Sequence, residues 1–380
     1  MSAPPHIVVL TADTGGGHRS VAESLVEAFH EAGQSDVEQV DLFQYVPWPI
    51  SLAPKLYGPT INHIAGFWGF GYGYLNNRAV AGLYMHAAVE PLMRRGLRKL
   101  YREHSPSLVV STHPVFQYPA ARELHRGWPG VPFVTMVTDF ASAHRWWFTR
   151  LSDLCLLPSE ELRPGAIAGG VAPKKIYVTG LPVHRAFSLN RYVTRQEARS
   201  ALGIADCTTL LMVGGGEGMG AIEAMAESVS SSQPDLQLLV VAGRNAGLYK
   251  KLSARTWAGP TQVYGFVRNM PQLMRAADLI VTKAGPSTIS EALICGLPIL
   301  LSGFVPGQEE GNVRFVCERR AGYFMQKPEN NLPELLRGLL VDGGATLAEF
   351  ARNAYALGRP DAAREAVRLI MQLYQLSRAQ

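Results

Sequence analysis

The residues best equipped for chemistry lie between positions 282 and 312: Thr-Lys-Ala-Gly-Pro-Ser-Thr-Ile-Ser-Glu-Ala-Leu-Ile-Cys-Gly-Leu-Pro-Ile-Leu-Leu-Ser-Gly-Phe-Val-Pro-Gly-Gln-Glu-Glu-Gly-Asn. An apolar strand from Asp278 to Val281 runs into a turn of Gly285, Pro286, Ser287 and Thr288, and a helix is expected from about Ile289 to Cys295. Pro286 suits a first helical turn, where its missing N–H costs nothing. The hydroxyls of Ser287 and Thr288 stand beside unused backbone N–H groups. Such a helix mouth attracts phosphate through both hydrogen bonds and dipole. Glu291, one turn on, offers a carboxylate for a ribose diol. A second strand, Leu297 to Leu301, ends in Pro306-Gly307-Gln308-Glu309, a polar loop suited to sugar hydroxyls. Gln308 and Glu309 are the candidates to read those hydroxyls, because hydrogen-bond partners separate sugars better than apolar walls do. Together these residues describe a pocket for a nucleotide-sugar.

Two further glycine loops flank this chemistry. Gly15, Gly16 and Gly17 let backbone approach a ligand closely, and His18 follows at the start of a helix expected over Ser20–Ala32. In the segment Gly214–Gly220, Gly216-x-Gly218-x-x-Ala221 fits a dinucleotide fingerprint. The next strand, however, ends in Val241-Ala242-Gly243-Arg244, with no acid for a ribose 2′-hydroxyl. No pair of carboxylates stands out as a metal clamp.

The elements that must position these loops read as alternating strands and helices. Ile7–Leu10, Leu108–Ser111 and Phe133–Val137 are strands of the first half; Thr209–Val213, Gln237–Val241, Gln262–Tyr264 and Leu279–Val281 belong to the second. Short Val-rich runs separated by helices predict parallel sheets. Each half opens with strand, glycine loop and helix, which predicts two doubly wound α/β domains facing each other. A chain of 380 residues suits two such domains. Arg185–Arg195 is a plausible hinge, and Asp361–Gln380 reads as an amphipathic helix with Ala363, Val367, Ile370, Met371 and Tyr374 on one face.

Residues 43–75 break the alternation with nine aromatics among prolines and glycines, including Trp48 and Trp68. Such side chains favour a membrane interface, or else fill a packed insertion. Between Leu42 and Arg150 eleven basic residues stand against four acids, whereas the whole chain carries only +5. Arg94, Arg95, Arg98, Lys99 and Arg102 form a helical stripe, a candidate for anionic lipids or a solvated helix face. Four scattered cysteines without a CxxC pair give no disulfide or zinc framework and fit a reducing compartment. No apolar run approaches the ~20 residues a spanning helix needs. No signal peptide or plastid-type transit segment is visible, so the expectation is a bacterial or mature enzyme, cytoplasmic and peripheral on the inner face of the cell membrane.

Four segments in order resemble the monogalactosyldiacylglycerol synthases, among the family 28 processive diacylglycerol glycosyltransferases. They are Asp13-Thr-Gly-Gly-Gly-His18-Arg19; Thr138-Asp139-Phe140 with His144, Trp147 and Phe148; Gly214–Gly220; and Lys283–Leu293 continued by Pro306-Gly-Gln-Glu-Glu-Gly-Asn-Val313. The resemblance covers about residues 6 to 320. It implies a GT-B fold: two facing Rossmann-like domains, with the terminal helix crossing back to the first. An acceptor- and membrane-binding domain is expected over 1–188, a UDP-sugar domain over 189–355, and the helix over 356–380.

The resemblance also implies roles. His18 is a candidate general base, since a neutral imidazole accepts an alcohol proton near neutral pH; Asp13 orients it or shares the role. Gly16, Gly17, Asp139, His144, Trp147 and Glu217 would serve the acceptor side. Gly214 and Gly215 would cradle the donor, and Phe266, Val267 and Met270 would hold uracil. Gly285, Ser287, Thr288, Glu291, Gln308 and Glu309 would bind the rest of the UDP-hexose. No metal or cofactor is implied, because helix dipole and backbone N–H groups can stabilise leaving UDP. The implied reaction moves galactose from UDP-galactose to diacylglycerol with inversion, without nucleic acid as a partner. UDP-glucose is the nearest alternative. A peptidoglycan-type N-acetylglucosaminyltransferase, a sugar-nucleotide 2-epimerase and a non-enzymatic docking scaffold are more distant ones.

Overall fold

A computed structural model describes residues 4–12, 16–48, 51, 76, 82, 84–214, 221–341 and 344–379. The chain divides into two compact units: residues 1–185, 305–308 and 361–380 form the first, and residues 186–304 and 309–360 the second.

The first unit is built on six parallel strands: β1 (Ile7–Thr11), β2 (Val37–Asp41), β3 (Leu108–Ser111), β4 (Phe133–Met136), β5 (Leu154–Leu157) and β6 (Ile176–Val178), in the order β2-β1-β3-β4-β5-β6. Strands β1, β3, β4 and β5 are buried along their whole length, which is why they are predominantly apolar instead of alternating. Helices α1 (Gly17–Glu31), α2 (Glu90–His104), α3 (Gln117–Gly127) and α4 (Arg163–Ala168) supply the crossovers.

The second unit begins with α5 (Arg185–Asn190), whose first residue clusters with the first unit, and α6 (Arg195–Leu202). Its strands are β7 (Thr209–Val213), β8 (Gln237–Val241), β9 (Thr261–Tyr264), β10 (Leu279–Lys283), β11 (Ile299–Gly303) and β12 (Gly322–Phe324). They lie parallel in the order β12-β11-β10-β7-β8-β9. Helices α7 (Ile222–Ser232), α8 (Ala246–Ser253), α9 (Met270–Ala276), α10 (Pro286–Cys295), α11 (Glu310–Glu318), α12 (Pro328–Val341) and α13 (Ala345–Leu357) cover the faces.

The last helix, α14 (Ala362–Arg378), belongs to the first unit. Ala366, Val367 and Ile370 pack with Val21, Ala22, Leu25 and Phe29 of α1 and with the β1 residues Ile7 and Val9. Arg364 adds an ion pair to Glu31 at 3.3 Å. The apolar face expected of the tail is therefore the face that is covered.

Several boundaries differ from the sequence reading. Helix α10 starts at Pro286, three residues earlier than expected, because the fixed φ of proline is already helical. Helix α1 likewise starts at Gly17 instead of Ser20, and β11 begins two residues late, after Pro298. The expected hinge at Arg185–Arg195 contains α5. The aromatic stretch 52–75 lies outside the described residues.

Ile370 is fully buried against α1. Replacing it with Ala should cost about 2–5 kcal/mol, read as a lower urea midpoint for the first unit.

Candidate active site

In a parallel sheet, the place where strand order reverses leaves neighbouring loops diverging at the carboxyl edge, and ligands bind there. The first unit reverses between β1 and β3, the second between β7 and β10. The candidate residues gather at these two edges.

In the first unit, Gly16 caps α1 at φ 82°, a left-handed conformation that glycine accepts without strain. This sharp entry puts His18 in the first turn of the helix, close to the loops after β3 and β4. Its Nδ1 lies 2.6 Å from Oγ1 of Thr138, just beyond β4. The His113 ring, just beyond β3, meets it edge-on at 4.7 Å between centroids, and the Trp147 ring lies at 5.9 Å. Burial lowers the His18 pKa from 6.5 to about 4. Burial outweighs a backbone hydrogen bond with Thr112 that acts in the opposite direction. Burial, and then the neighbouring His18, hold His113 well below its usual range. Both imidazoles are thus neutral near physiological pH. His18 Nε2 makes no hydrogen bond among the described residues. Asp13 lies outside them.

Asp139 and Trp147 form a buried pair: the indole Nε1–H donates to Asp139 Oδ2 at 2.7 Å, and Trp147 is 0% exposed. Both side chains are buried in this structure, Asp139 at 4% exposure. His144 is also buried, and its Nδ1 accepts from Trp146 N at 3.2 Å. Gln308 groups with this unit, where its Nε2 lies 3.5 Å from Asp139 Oδ1 and its backbone carbonyl accepts from Ser142 Oγ at 2.7 Å. Trp48 is 78% exposed, whereas Trp68 lies outside the described residues. On α2, Arg94 and Arg98 reach the buried Glu123 at 3.5 and 2.8 Å, and Arg95 stays on the exposed side.

In the second unit, Gly214 is buried at the end of β7, and Gly215 and Glu217 lie outside the described residues. Strand β10 pairs Thr282 with Leu301 but Lys283 with Gly303, an irregularity that re-aims the side chain leaving the sheet. Lys283 Nζ pairs with the buried carboxylate of Glu309 at 2.9 Å. A Cβ on Gly285 would lie 3.3 Å from Lys283 Nζ, so the ammonium stands directly beside the mouth of α10. Asn312 Nδ2 donates to Ala284 O at 2.9 Å and fixes the turn between them. Ser287, Thr288 and Glu291 make no side-chain hydrogen bond among the described residues. Burial raises the Glu291 pKa from 4.5 to about 8. Phe266 is 56% exposed, and the Arg244 guanidinium lies 4.6 Å above its ring. Val267 and Met270 are half-buried beside it.

Sequence reasoning singled out neither Lys283, Thr138 nor Arg244 as a site residue. Lys283 had a local signal, a cation two residues before the helix-opening glycine. Thr138 lies in a segment that carries the resemblance, but its pairing with His18 had no local signal, since its partner lies 120 residues away.

Two Rossmann-like units, each carrying its polar residues at a switch point, define a GT-B protein. Solved structures share the fold: MurG of Acinetobacter baumannii at a TM-score of 0.61, 16% identity and coverage of 97% of this chain and 100% of that one; and a putative UDP-N-acetylglucosamine 2-epimerase of Listeria monocytogenes at 0.64, 14%, 99% and 98%. The family model for monogalactosyldiacylglycerol synthase matches residues 18–183, and that for the glycosyltransferase family 28 C-terminal domain matches residues 209–334. The monogalactosyldiacylglycerol synthase of Spinacia oleracea is 36% identical over 373 residues, covering 95% of this chain and 71% of its own. The chain belongs to the monogalactosyldiacylglycerol synthase family, the one its motifs resemble.

One expectation is corrected. The relatives from spinach, tobacco and Arabidopsis thaliana are all named as chloroplastic, which overturns a cytoplasmic location on the inner face of the cell membrane. The reading rested on local composition, and an address carried by a leader is not written in the folded part of a chain. Among the described residues no group of three or more His, Cys, Asp or Glu is placed to hold a metal, and no helix is long and apolar enough to cross a membrane.

The two units should respond oppositely to pH. Unfolded histidine titrates near 6.5 and folded His18 near 4, so the stability its neutral form contributes is present above pH 6.5 and lost as pH falls towards 4. For Glu291 the folded value is raised, so its contribution is present below pH 4.5 and lost as pH rises through 8. Thermal melts across this range should show both limbs, and Glu291→Gln should flatten the alkaline one alone. A melting temperature that holds constant from pH 6.5 to 4 would refute the buried neutral imidazoles.

Proposed function

We propose that this protein transfers galactose from UDP-galactose to the sn-3 hydroxyl of 1,2-diacylglycerol, giving monogalactosyldiacylglycerol with inversion at the anomeric carbon. The observation that carries the reading is the mouth of α10. There one ammonium, with two hydroxyls and one carboxyl that make no hydrogen bond among the described residues, stands by backbone N–H groups, in a chain 36% identical to a protein named for this synthesis. A diphosphate satisfies the ammonium, the hydroxyls and the helix mouth. The ribose diol answers Glu291. Phe266 with Arg244 offers a platform for the uracil ring, and Gln308 and Glu309 are assigned to the hexose. Glu309 also holds Lys283 in place.

In the reaction, the lipid oxygen attacks the anomeric carbon while the bond to the diphosphate oxygen breaks and its electron pair leaves on UDP. His18 Nε2 accepts the hydroxyl proton, which the imidazolium later releases to solvent. Lys283 and the first turn of α10 stabilise charge growing on the leaving group, an effect that counts only where it strengthens in the transition state. The exposed side of α2 carries Leu92, Arg95 and Arg102, and the arginines make no ion pair among the described residues. This face is assigned to anionic lipid, at about 1 kcal/mol per cation.

Purified protein given labelled UDP-galactose or UDP-glucose and diacylglycerol vesicles should yield galactolipid. Exclusive use of UDP-glucose would move the assignment to a glucosyltransferase, and products confined to water would overturn the lipid acceptor. His18→Ala should lower kcat by ~10²–10⁴-fold while UDP still binds. Lys283→Ala should weaken UDP binding by about 10–100-fold, the scale of a lost charged hydrogen bond. Unchanged UDP affinity in that variant would remove Lys283 from the diphosphate site.

A further inference from the structure

A neutral imidazole carries one N–H and one lone pair, so whatever Nδ1 does decides what Nε2 can do. His18 Nδ1 has a single hydrogen-bonding neighbour among the described residues, the hydroxyl of Thr138 at 2.6 Å. That hydroxyl has no other side-chain partner among them. Thr138 is 5% exposed, and its branched Cβ restricts χ1, so its oxygen is held at one point beside the ring. Thr112 Oγ1 meets the His18 carbonyl at 3.5 Å, His113 abuts one side of the ring and Trp147 another. The imidazole is therefore confined on three sides, and its one polar restraint among the described residues is Thr138.

We propose that Thr138 is the positioning residue of this active site: its Oγ1 accepts Nδ1–H of His18, which leaves the lone pair on Nε2, the nitrogen without a partner among the described residues. The opposite arrangement, with the threonine hydroxyl donating, would give that hydroxyl's hydrogen an acceptor but put the proton on Nε2 and abolish it as a base. The inference rests on the reading of His18 as the base that takes the acceptor proton. The role resembles the carboxylate that orients histidine in hydrolase triads, with one difference. A neutral hydroxyl fixes tautomer and angle without adding a charge to a buried site, so it leaves the imidazole pKa low. His18 then works as a weak but always unprotonated base across the physiological range. Its protonation does not limit the rate from the acid side until pH falls towards 4.

The test compares Thr138→Val, which keeps shape and loses the oxygen, with Thr138→Ser, which keeps the oxygen. Long-range proton–nitrogen NMR spectra of isotope-labelled histidine, with His18 assigned by its absence in His18→Ala, should show Nδ1 protonated and Nε2 bare in the native protein. Thr138→Val should lose that pattern and lower kcat by at least ~10-fold, as for other histidines released into the wrong tautomer. The KM for UDP-galactose should change much less, and Thr138→Ser should restore both spectrum and kcat. A native spectrum with the proton on Nε2 overturns the proposal even if Thr138→Val fails to fold. So does a Thr138→Val enzyme with kcat within about twofold of the native value, a margin too small for a lost transition-state contact. If His18→Ala itself keeps full turnover, the base assignment fails instead, and the NMR result separates that failure from this one.

Discussion

The governing constraint is the parallel strand. Two parallel neighbours cannot be joined by a tight turn, so every connection in both sheets must cross over, and most cross through a helix. All strands of a sheet then end on one edge, and all helices that follow them begin there. That edge collects helix mouths, tight glycine turns and the first side chains beyond each strand. His18, Thr112, His113 and Thr138 share such an edge in one unit; Gly214, Phe266, Lys283 and Ser287 share one in the other. The chemistry follows from connectivity before any individual contact is considered.

The two edges solve different electrostatic problems. On the proposed reading a nucleotide brings negative charge, which the second unit would meet with a helix mouth and Lys283. That ammonium is itself restrained by Glu309, at 2.9 Å. On the same reading an alcohol brings a proton to be removed, which the first unit would meet with an imidazole that burial keeps uncharged. Glu291 follows the same logic in reverse, since burial also keeps its carboxyl largely neutral near pH 7. Neutral groups in dry surroundings avoid the heavy cost of burying isolated ions.

The legible part of this chain was what periodicity and glycine encode. Buried strands such as β1, β3, β7 and β8 announce themselves as uninterrupted apolar runs, and Gly285-Pro286 marks a helix start. Edge strands were harder: β2 reads Val-Glu-Gln-Val-Asp, half polar because much of it stays accessible, and β12 has only three residues. Trp147 illustrates the opposite difficulty. An aromatic near a proposed lipid site reads as a contact surface, yet it is wholly buried and donates to Asp139. Partnerships such as Thr138 with His18 connect residues far apart in the chain, and only the assembled sheet brings them together.

The position of α14 bears on biosynthesis. Its residues are polymerised after the whole second unit, yet they complete the packing around α1, the helix whose opening turn carries His18. Domains generally fold as units during translation, amino-terminal ones first, but here that order is broken. The nascent first sheet must wait, with one side of α1 uncovered, while the whole second unit is made. A chain cut short before α14 leaves bare that side of α1, the helix that carries His18.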